Sequence, residues 1–163
     1  THTGAFALNA AMGGAKSVTA VDISASALET ASENARLNNL DIEFVKADVF
    51  DLLTNMKGGG YDFIILDPPA FTKSRKTVDS AFKGYNDINF RAMKLLPRGG
   101  YFATASCSHF MPDELFVKML RSAAKDAGVE LRQIEARQQS PDHPILWNVP
   151  ETDYLKFYIF QVI

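Results

Sequence analysis

A short apolar run that ends in an acid and two prolines constrains this chain more than any other feature. Residues 63–66 read F-I-I-L, the continuous apolar pattern of a strand buried on both faces of a parallel sheet. Asp67 follows, and the next two prolines end the strand and stiffen the loop that leads to Phe71. An Asp before Pro also opens ordinary turns, but the full pattern favours a carboxylate at the carboxyl edge of a sheet, where α/β folds bind ligands.

Composition places the chain among globular proteins of one domain. It has 163 residues, 47% of them hydrophobic and 22% charged. No apolar run approaches a membrane span and no signal peptide is recognisable. The single cysteine, Cys107, excludes an internal disulfide and fits a reducing, cytoplasmic location. The net charge of −2 argues against a globally basic surface for nucleic acid but leaves room for a local basic patch.

Strand and helix patterns alternate along the chain, which predicts a mostly parallel sheet covered on both faces. The last two strands have no helix between them and are predicted to pair antiparallel at the end of the sheet. The chain opens on a glycine turn that leads into a helix, so we expect a fragment that lacks the first strand. Helices are predicted at 5–12, 24–37, 49–56, 81–96 and 112–128, and strands at 17–22, 42–45, 63–66, 101–105, 129–136 and 154–163.

Acidic residues end the first two predicted strands and suggest a nucleoside ligand. Asp22 could accept ribose hydroxyls, and Asp48 could meet an adenine amino group, while Thr3 and Gly4 would let the backbone approach closely. Either acid alone is a helix cap about half the time. No G-x-G-x-x-G is present, which counts against a dinucleotide and leaves S-adenosylmethionine as the better candidate, since it has no phosphate.

The strand at 101–105 delivers Cys107 to the same predicted sheet edge as Asp67. Adjacent strands lie roughly 4.8 Å apart, so both side chains could reach one bound base. A free cysteine is more often a small buried hydrophobe, but its position facing an acid favours a nucleophile. One cysteine and three scattered histidines do not have metal-ligand spacing, so no metal is expected.

Basic and aromatic residues follow Asp67. The basic side chains could hold phosphates or could simply form a solvated helix face, and the two interpretations weigh equally. Phe71 and Tyr85 could stack on an unpaired base, although core packing explains an aromatic residue just as often. The basic residues are Lys73, Arg75, Lys76, Lys83 and Arg91.

An ordered set of short motifs resembles one family of class I S-adenosylmethionine-dependent methyltransferases, the rRNA large-subunit methyltransferase I family. Members of that family methylate carbon 5 of a cytosine in 23S rRNA. Each motif is weak alone, and the ordered set is specific across the whole chain. The motifs are T-G-A-F at 3–6, A-V-D at 20–22, A-D-V-F at 47–50, D-P-P-A-F at 67–71, G-Y-N-D-I-N at 84–89, S-C-S at 106–108 and D-H-P at 142–144.

The resemblance implies roles for individual residues. Cys107 and Asp67 would be catalytic: the thiolate would add to carbon 6 of the base, and Asp67 would hold or protonate the base near N3. The cofactor residues would be Thr3, Gly4, Phe6, Asp22, Ile23, Asp48, Val49, Asp67 and Pro68, and the substrate residues Pro69, Phe71, Lys73, Arg75 and Tyr85. The chain departs from the family at His2, where Tyr is usual, and at Ala5, where a second Gly is usual.

The resemblance also implies a Rossmann-like methyltransferase domain over residues 1–163, with a PUA domain and a linking domain upstream. It implies a 23S rRNA substrate, a cytoplasmic location and no membrane contact, and it admits a homodimer. Three alternatives stay open: a methyltransferase acting on uracil carbon 5 or a guanine nitrogen, a non-catalytic module that binds S-adenosylmethionine or RNA, and a disfavoured nicotinamide-dependent dehydrogenase.

Overall fold

The computed structural model describes residues 1–58, 60–72 and 74–163 and divides into two compact units. The first unit is Thr1–Asn55 and the second is Met56–Ile163. Lys73, which the sequence analysis assigns to substrate binding, lies outside the described residues. Within the described ranges, no helix is both long and apolar enough to cross a membrane.

The first unit is a two-stranded parallel sheet with three helices. Strand β1 pairs with β2 in a register that puts Asp22 opposite Lys46. Ser24 caps α2 as predicted, since its hydroxyl accepts a hydrogen bond from the Ala27 N–H. The elements are α1 (Ala5–Met12), β1 (Thr19–Asp22), α2 (Ala25–Leu37), β2 (Glu43–Lys46) and α3 (Val49–Asn55).

Gly4 fixes the entry into α1. Its φ of 91° lies in the left-handed region, which residues with a Cβ rarely adopt. A Cβ at this position would also lie 3.0 Å from the Cβ of Ala31 on α2. Glycine is therefore required both by the backbone turn and by the close approach of α2.

The second unit is a four-stranded mixed sheet with two long helices. The strand order is β3-β4-β6-β5, in which β3 and β4 are parallel and β6 is antiparallel to both of its neighbours. Two one-turn 3₁₀ helices, Arg75–Thr77 and Pro150–Thr152, are additional to the predicted elements. The main elements are β3 (Phe63–Leu66), α4 (Val78–Leu95), β4 (Tyr101–Ser106), α5 (Asp113–Ala127), β5 (Leu131–Arg137) and β6 (Lys156–Val162).

The structure confirms the predicted α/β class and the antiparallel β5–β6 pair, and it corrects two details. The described strands form two sheets, where the sequence predicts one. Strand β3 is not buried on both faces, since Phe63 is 45% exposed and Leu66 alone of its four residues is buried. Among the described strands it pairs with β4, which puts it at the edge of its sheet. An apolar run alone does not distinguish a central strand from an edge strand.

Helices α4 and α5 and strand β4 form the core of the second unit. Helix α5 ends at Gly128, as predicted, with this glycine in the left-handed conformation at φ 69°. The largest fully buried side chains of this core are Tyr85, Ile88, Met93, Phe102, Phe116 and Met119.

A buried polar pair joins α4 to β4. The Thr104 hydroxyl donates to Oδ1 of Asn89 at 2.7 Å, and Nδ2 of Asn89 donates to the Tyr85 carbonyl oxygen at 2.7 Å. Neither Asn89 nor Thr104 is exposed to solvent. Because a buried polar group without a partner is costly, this pair helps to fix where α4 lies on the sheet.

We predict that Asn89→Ala lowers the free energy of unfolding by about 2–3 kcal/mol, since it leaves the Thr104 hydroxyl buried without its acceptor. The measurement is urea unfolding followed by circular dichroism. Asn9→Ala is a matched control, because Nδ2 of Asn9 makes the same contact to the carbonyl four residues earlier, at 2.8 Å, but on an exposed surface. Equal losses in the two variants would contradict the prediction.

Candidate active site

Asp22 gathers three hydrogen bonds at the carboxyl end of β1. Its Oδ2 accepts from the Thr1 nitrogen at 2.9 Å and from the His2 N–H at 2.7 Å, and its Oδ1 accepts from the Ser24 N–H at 3.0 Å. The side chain keeps 21% of its surface exposed. The carboxylate is thus held rigidly while one side still faces solvent.

These contacts keep Asp22 ionised. Burial raises the pKa of this carboxyl, but the hydrogen bonds from the Ser24 N–H, the Thr1 nitrogen and the His2 N–H outweigh burial and lower the pKa to about 2. A lowered pKa stabilises the fold at pH values above the ordinary 3.8, and this stability is lost as the pH falls through about 2. Near neutral pH the group is a fixed negative charge and a hydrogen-bond acceptor.

Asp48 lies two residues beyond the end of β2, whereas Asp22 is the last residue of β1, and its environment differs. Its Oδ1 accepts from the Phe50 N–H at 2.8 Å, so the carboxylate caps the start of α3, and the side chain is exposed. The helix-cap alternative therefore describes what Asp48 does within the chain. Its second oxygen remains a candidate acceptor for a ligand.

The other predicted cofactor residues of the first unit lie around the α1 turn and the starts of α2 and α3. The Thr3 carbonyl accepts from Nδ2 of Asn34 at 3.1 Å, which ties the turn to α2. Phe6 is 42% exposed and Ile23 is 65% exposed, while Val49 is half-buried. Two apolar side chains beside Asp22 and Gly4 along the chain are thus available to solvent.

In the second unit, the structure confirms the prediction that β3, which precedes Asp67, and β4, which precedes Cys107, are adjacent parallel strands. Leu66 pairs with Thr104, so Asp67 continues level with Ala105, and Cys107 lies two positions further along. Asp67 is exposed and Cys107 is partly exposed. A carboxylate and a thiol therefore leave adjacent strand ends within reach of solvent.

Tyr85 ties together the loops that carry these two residues. Its hydroxyl accepts from the Phe71 N–H at 3.5 Å and from the Ser106 hydroxyl at 3.1 Å. A second link runs from the Ser108 hydroxyl to the Thr72 carbonyl oxygen at 2.8 Å. The two serines that flank Cys107 are therefore structural anchors, a role that the sequence analysis did not predict.

The Tyr85 hydroxyl keeps its proton. Burial raises its pKa, and the hydrogen bonds from Ser106 and Phe71 oppose burial only in part, while negative charge on Cys107 or Asp67 raises the pKa further. The phenol is neutral at physiological pH and acts as a hydrogen-bonding bridge.

The structure separates the two predicted stacking residues. Tyr85 has no exposed surface, and its ring packs against Phe71 at 4.5 Å and Phe116 at 5.8 Å between centroids. Direct stacking of Tyr85 on a base is thus not supported, because the ring belongs to the core. Phe71 is only half-buried, so part of its ring remains available for contact with a ligand.

The predicted basic patch is also divided. Arg75 and Lys76 lie exposed in the 3₁₀ helix and Lys83 is exposed on α4. Arg91 instead pairs with Asp87 one turn earlier on α4, at 2.9 Å. The exposed members remain candidates for contact with an anionic ligand.

Lys156 is a buried cation that the sequence analysis missed. Its ammonium donates to the Ser108 carbonyl oxygen at 2.7 Å and the Tyr154 carbonyl oxygen at 2.8 Å, and the residue is 8% exposed. The signal was present in the sequence, since Lys156 alternates with Tyr158, Phe160 and Val162 on the buried face of β6. Within the described ranges, no group of three or more His, Cys, Asp or Glu residues could hold a metal ion.

Comparison with known proteins identifies the family. The family model of the methyltransferase domain matches residues 1–150. The chain belongs to this family. The resemblance to rRNA large-subunit methyltransferase I is also confirmed, since proteins of that name from Serratia proteamaculans and Yersinia pestis are 44% identical over the whole chain. The chain spans 42% of the length of these relatives.

Solved methyltransferase structures share the fold. A Streptococcus mutans protein assigned as a SAM-dependent methyltransferase is 25% identical, with a TM-score of 0.82 over 98% of this chain and 42% of its own. The N-methyltransferase NodS from Bradyrhizobium japonicum, solved with S-adenosyl-L-homocysteine, is 16% identical, with a TM-score of 0.64 over 98% of this chain and 73% of its own. These likenesses confirm the Rossmann-like class I methyltransferase fold.

We predict that Tyr85→Phe loosens the loop that carries Asp67. The ring packing is retained, but the Phe71 N–H and the Ser106 hydroxyl lose their shared partner, which should lower the free energy of unfolding by about 1–2 kcal/mol. Hydrogen–deuterium exchange at residues 67–72 should become faster. Tyr101→Phe, at a ring that is 40% exposed, is the control and should leave exchange in this loop unchanged. Unchanged exchange in Tyr85→Phe would contradict the bridging role.

Proposed function

We propose that the chain transfers a methyl group from S-adenosylmethionine to carbon 5 of a cytosine in large-subunit rRNA, with Cys107 as the covalent nucleophile. The observation that supports this proposal is the parallel pairing of β3 with β4, so that Asp67 and Cys107 follow adjacent strands whose loops both contact the Tyr85 hydroxyl, through Phe71 and Ser106. The 44% identity, over the whole of this chain, to a methyltransferase named for large-subunit rRNA supports the substrate class.

The hydrogen-bond acceptors of the first unit fit S-adenosylmethionine. A carboxylate offers about four acceptor positions, and Asp22 uses three of them, so one ribose hydroxyl can bind without displacing a contact. The second oxygen of Asp48 suits an adenine amino group. When bound, the cofactor supplies an electrophilic methyl group. We assign cofactor contacts to Thr3, Gly4, Phe6, Asp22, Ile23, Asp48 and Val49, and in the second unit to Asp67 and Pro68.

Cys107 would solve the main chemical difficulty, since carbon 5 of a cytosine is a poor nucleophile. The thiolate forms a bond from Sγ to carbon 6, and the electron pair of the 5,6 double bond moves to carbon 5. After methylation, a base takes the carbon-5 proton. The electron pair left at carbon 5 re-forms the 5,6 double bond as the Sγ–carbon 6 bond breaks, and the electrons of that bond return to sulfur, which regenerates the thiolate.

Asp67 would bind the base while Cys107 reacts. Its exposed carboxyl can hold or protonate the base edge near N3, where negative charge accumulates after thiolate addition. Phe71 would stack on the base or its neighbour, and Pro69 and Arg75 would contact the surrounding RNA, as would Lys73. The cytosine must leave its helical stack to reach these groups. A guanine-nitrogen methyltransferase would need no thiol at this position.

We predict a covalent adduct between Cys107 and rRNA that contains 5-fluorocytidine in the presence of S-adenosylmethionine. Fluorine at carbon 5 cannot leave as a proton, so the Sγ–carbon 6 bond should persist and be detected by mass spectrometry. Cys107→Ala should form no adduct and should lose methyl transfer to unmodified rRNA by at least roughly 10³-fold, while it still binds the cofactor.

Two outcomes would contradict this mechanism. Equal methyl transfer with and without Cys107 would remove the nucleophile and favour a nitrogen-directed methyltransferase. Neither adduct nor transfer, with the cofactor bound, would favour a non-catalytic module. An adduct that forms on 5-fluorouridine but not on 5-fluorocytidine would move the target to uracil.

We predict that Asp22→Asn weakens binding of S-adenosylmethionine by roughly 10- to 100-fold, because a hydrogen bond to a charged acceptor is lost. Asp41→Asn, at an exposed residue of the same unit, is the matched control. Since the pKa of Asp22 is about 2, its carboxylate is ionised throughout pH 5–8 and should add no pH dependence to binding there. Isothermal titration calorimetry at pH 5 and pH 8 measures the loss of affinity and its pH dependence. Unchanged affinity in Asp22→Asn would remove this residue from the cofactor site.

A further inference from the structure

The charge of Lys156 needs an explanation that the fold alone does not give. The residue is 8% exposed, and two of its three N–H groups are used by the Ser108 and Tyr154 carbonyl oxygens. No salt bridge joins it to a carboxylate among the described residues. A buried ammonium without a counter-charge is costly, so a compensating anionic group is expected nearby.

Strand pairing brings Lys156 to Cys107. Strands β4 and β6 are antiparallel, and their last pair joins Ser106 to Lys156. The Lys156 ammonium donates to the carbonyl oxygen of Ser108, the residue after Cys107. The Lys156 backbone pairs with Ser106, the residue before Cys107. The cation therefore lies beside the segment that holds the thiol.

The other ionisable groups around Lys156 are less suited to balance its charge. Asp113 at the start of α5 is exposed and accepts a hydrogen bond from the Tyr158 hydroxyl at 2.5 Å. Asp153 is exposed in the loop before β6. The Tyr158 phenol is neutral at physiological pH, because burial and Asp113 raise its pKa to about 12. Cys107 is the remaining group, and its sulfur is partly shielded from water.

The titration of Lys156 agrees with this geometry. Burial lowers the pKa of the ammonium, and negative charge on Cys107 opposes burial more strongly than negative charge on Asp113 or Asp153. The attraction is mutual, since a charge that favours the ammonium is favoured by it in return.

We propose that the charge of the buried Lys156 ammonium favours the thiolate form of Cys107, which lies between the strand partner of Lys156, Ser106, and its hydrogen-bond partner, Ser108. The proposal rests on the proposed function, in which Cys107 is the nucleophile, and it supplies the cation that such a thiol requires. The thiol proton goes to solvent, and Lys156 contributes its charge and takes up no proton from the thiol. Lys156 is therefore a positioning residue that does not itself touch the base.

Alkylation of Cys107, the single cysteine of this chain, by iodoacetamide tests the proposal. The thiolate displaces iodide, and mass spectrometry of the peptide that contains Cys107 follows the adduct on its sulfur. The quantity measured is the ratio of the rate at pH 7 to the rate at pH 10, where a thiol of ordinary pKa near 8.5 is ionised. Lys156→Met keeps the length of the side chain and removes the charge. Its ratio should fall roughly tenfold or more below that of the unmodified chain, since an opposite charge nearby shifts ionisation by about one to three pH units.

Two further variants separate charge from structure. Lys156→Arg keeps the charge and should stay within roughly threefold of the unmodified chain. Lys118→Met removes an exposed charge on α5 and should leave the ratio unchanged. A ratio in Lys156→Met equal to that of the unmodified chain would overturn the proposal, as would equal losses in Lys156→Met and Lys156→Arg with both variants folded.

The unmodified chain gives a test that no variant can confound by misfolding. Its ratio should exceed that of a free peptide of sequence A-T-A-S-C-S-H by roughly tenfold, and equal ratios would overturn the proposal. No cofactor or RNA enters these reactions. A chain that shows the raised ratio but forms no adduct with 5-fluorocytidine would retain the thiolate favoured by Lys156 while the proposed methyl transfer fails.

Discussion

The candidate site of the second unit depends on one buried hydroxyl, that of Tyr85. The parallel pairing of β3 with β4 ends at Leu66 and Thr104, and both Asp67 and Cys107 come after these residues. The phenol contacts the loop after Asp67 and the residue before Cys107, so two separate loops share one support. Since the phenol lies in the packed core between α4 and β4, the positions of the reactive groups follow from core packing.

Local features, which depend on residues close together in the sequence, could be predicted from the sequence. Ser24 caps a helix, Gly128 ends one, and the prolines after Asp67 end a strand at the predicted residue. The insertion of β6 between β4 and β5, and the division of the strands into two sheets, could not be predicted in this way. Both depend on pairing between segments far apart in sequence, which a local pattern of apolar residues does not record.

Candidate site residues show the same limit, because equal sequence signals correspond to different environments. Asp22 and Asp48 are both predicted at strand ends, yet Asp22 ends β1 and gathers three N–H donors, whereas Asp48 lies two residues after β2 and caps a helix. Phe71 and Tyr85 are both aromatic residues near Asp67, yet only Phe71 has exposed surface. Residue type and strand position narrow the candidates, and the neighbours supplied by the fold then distinguish an acceptor from a cap and a contact surface from a core.

The place of β6 explains why a lysine so far along the chain bears on the chemistry of Cys107. Strand β6 pairs antiparallel with β4 as well as with β5. The pairing with β4 puts Lys156 beside Ser106. The alternation that buries Tyr158 and Phe160 necessarily buries Lys156 as well. A buried charge is a cost to the fold that two carbonyl contacts offset only in part. A thiolate at Cys107 would offset the remaining cost of burying the Lys156 charge. Lys156 would then stabilise the thiolate, and the thiolate would stabilise the buried ammonium.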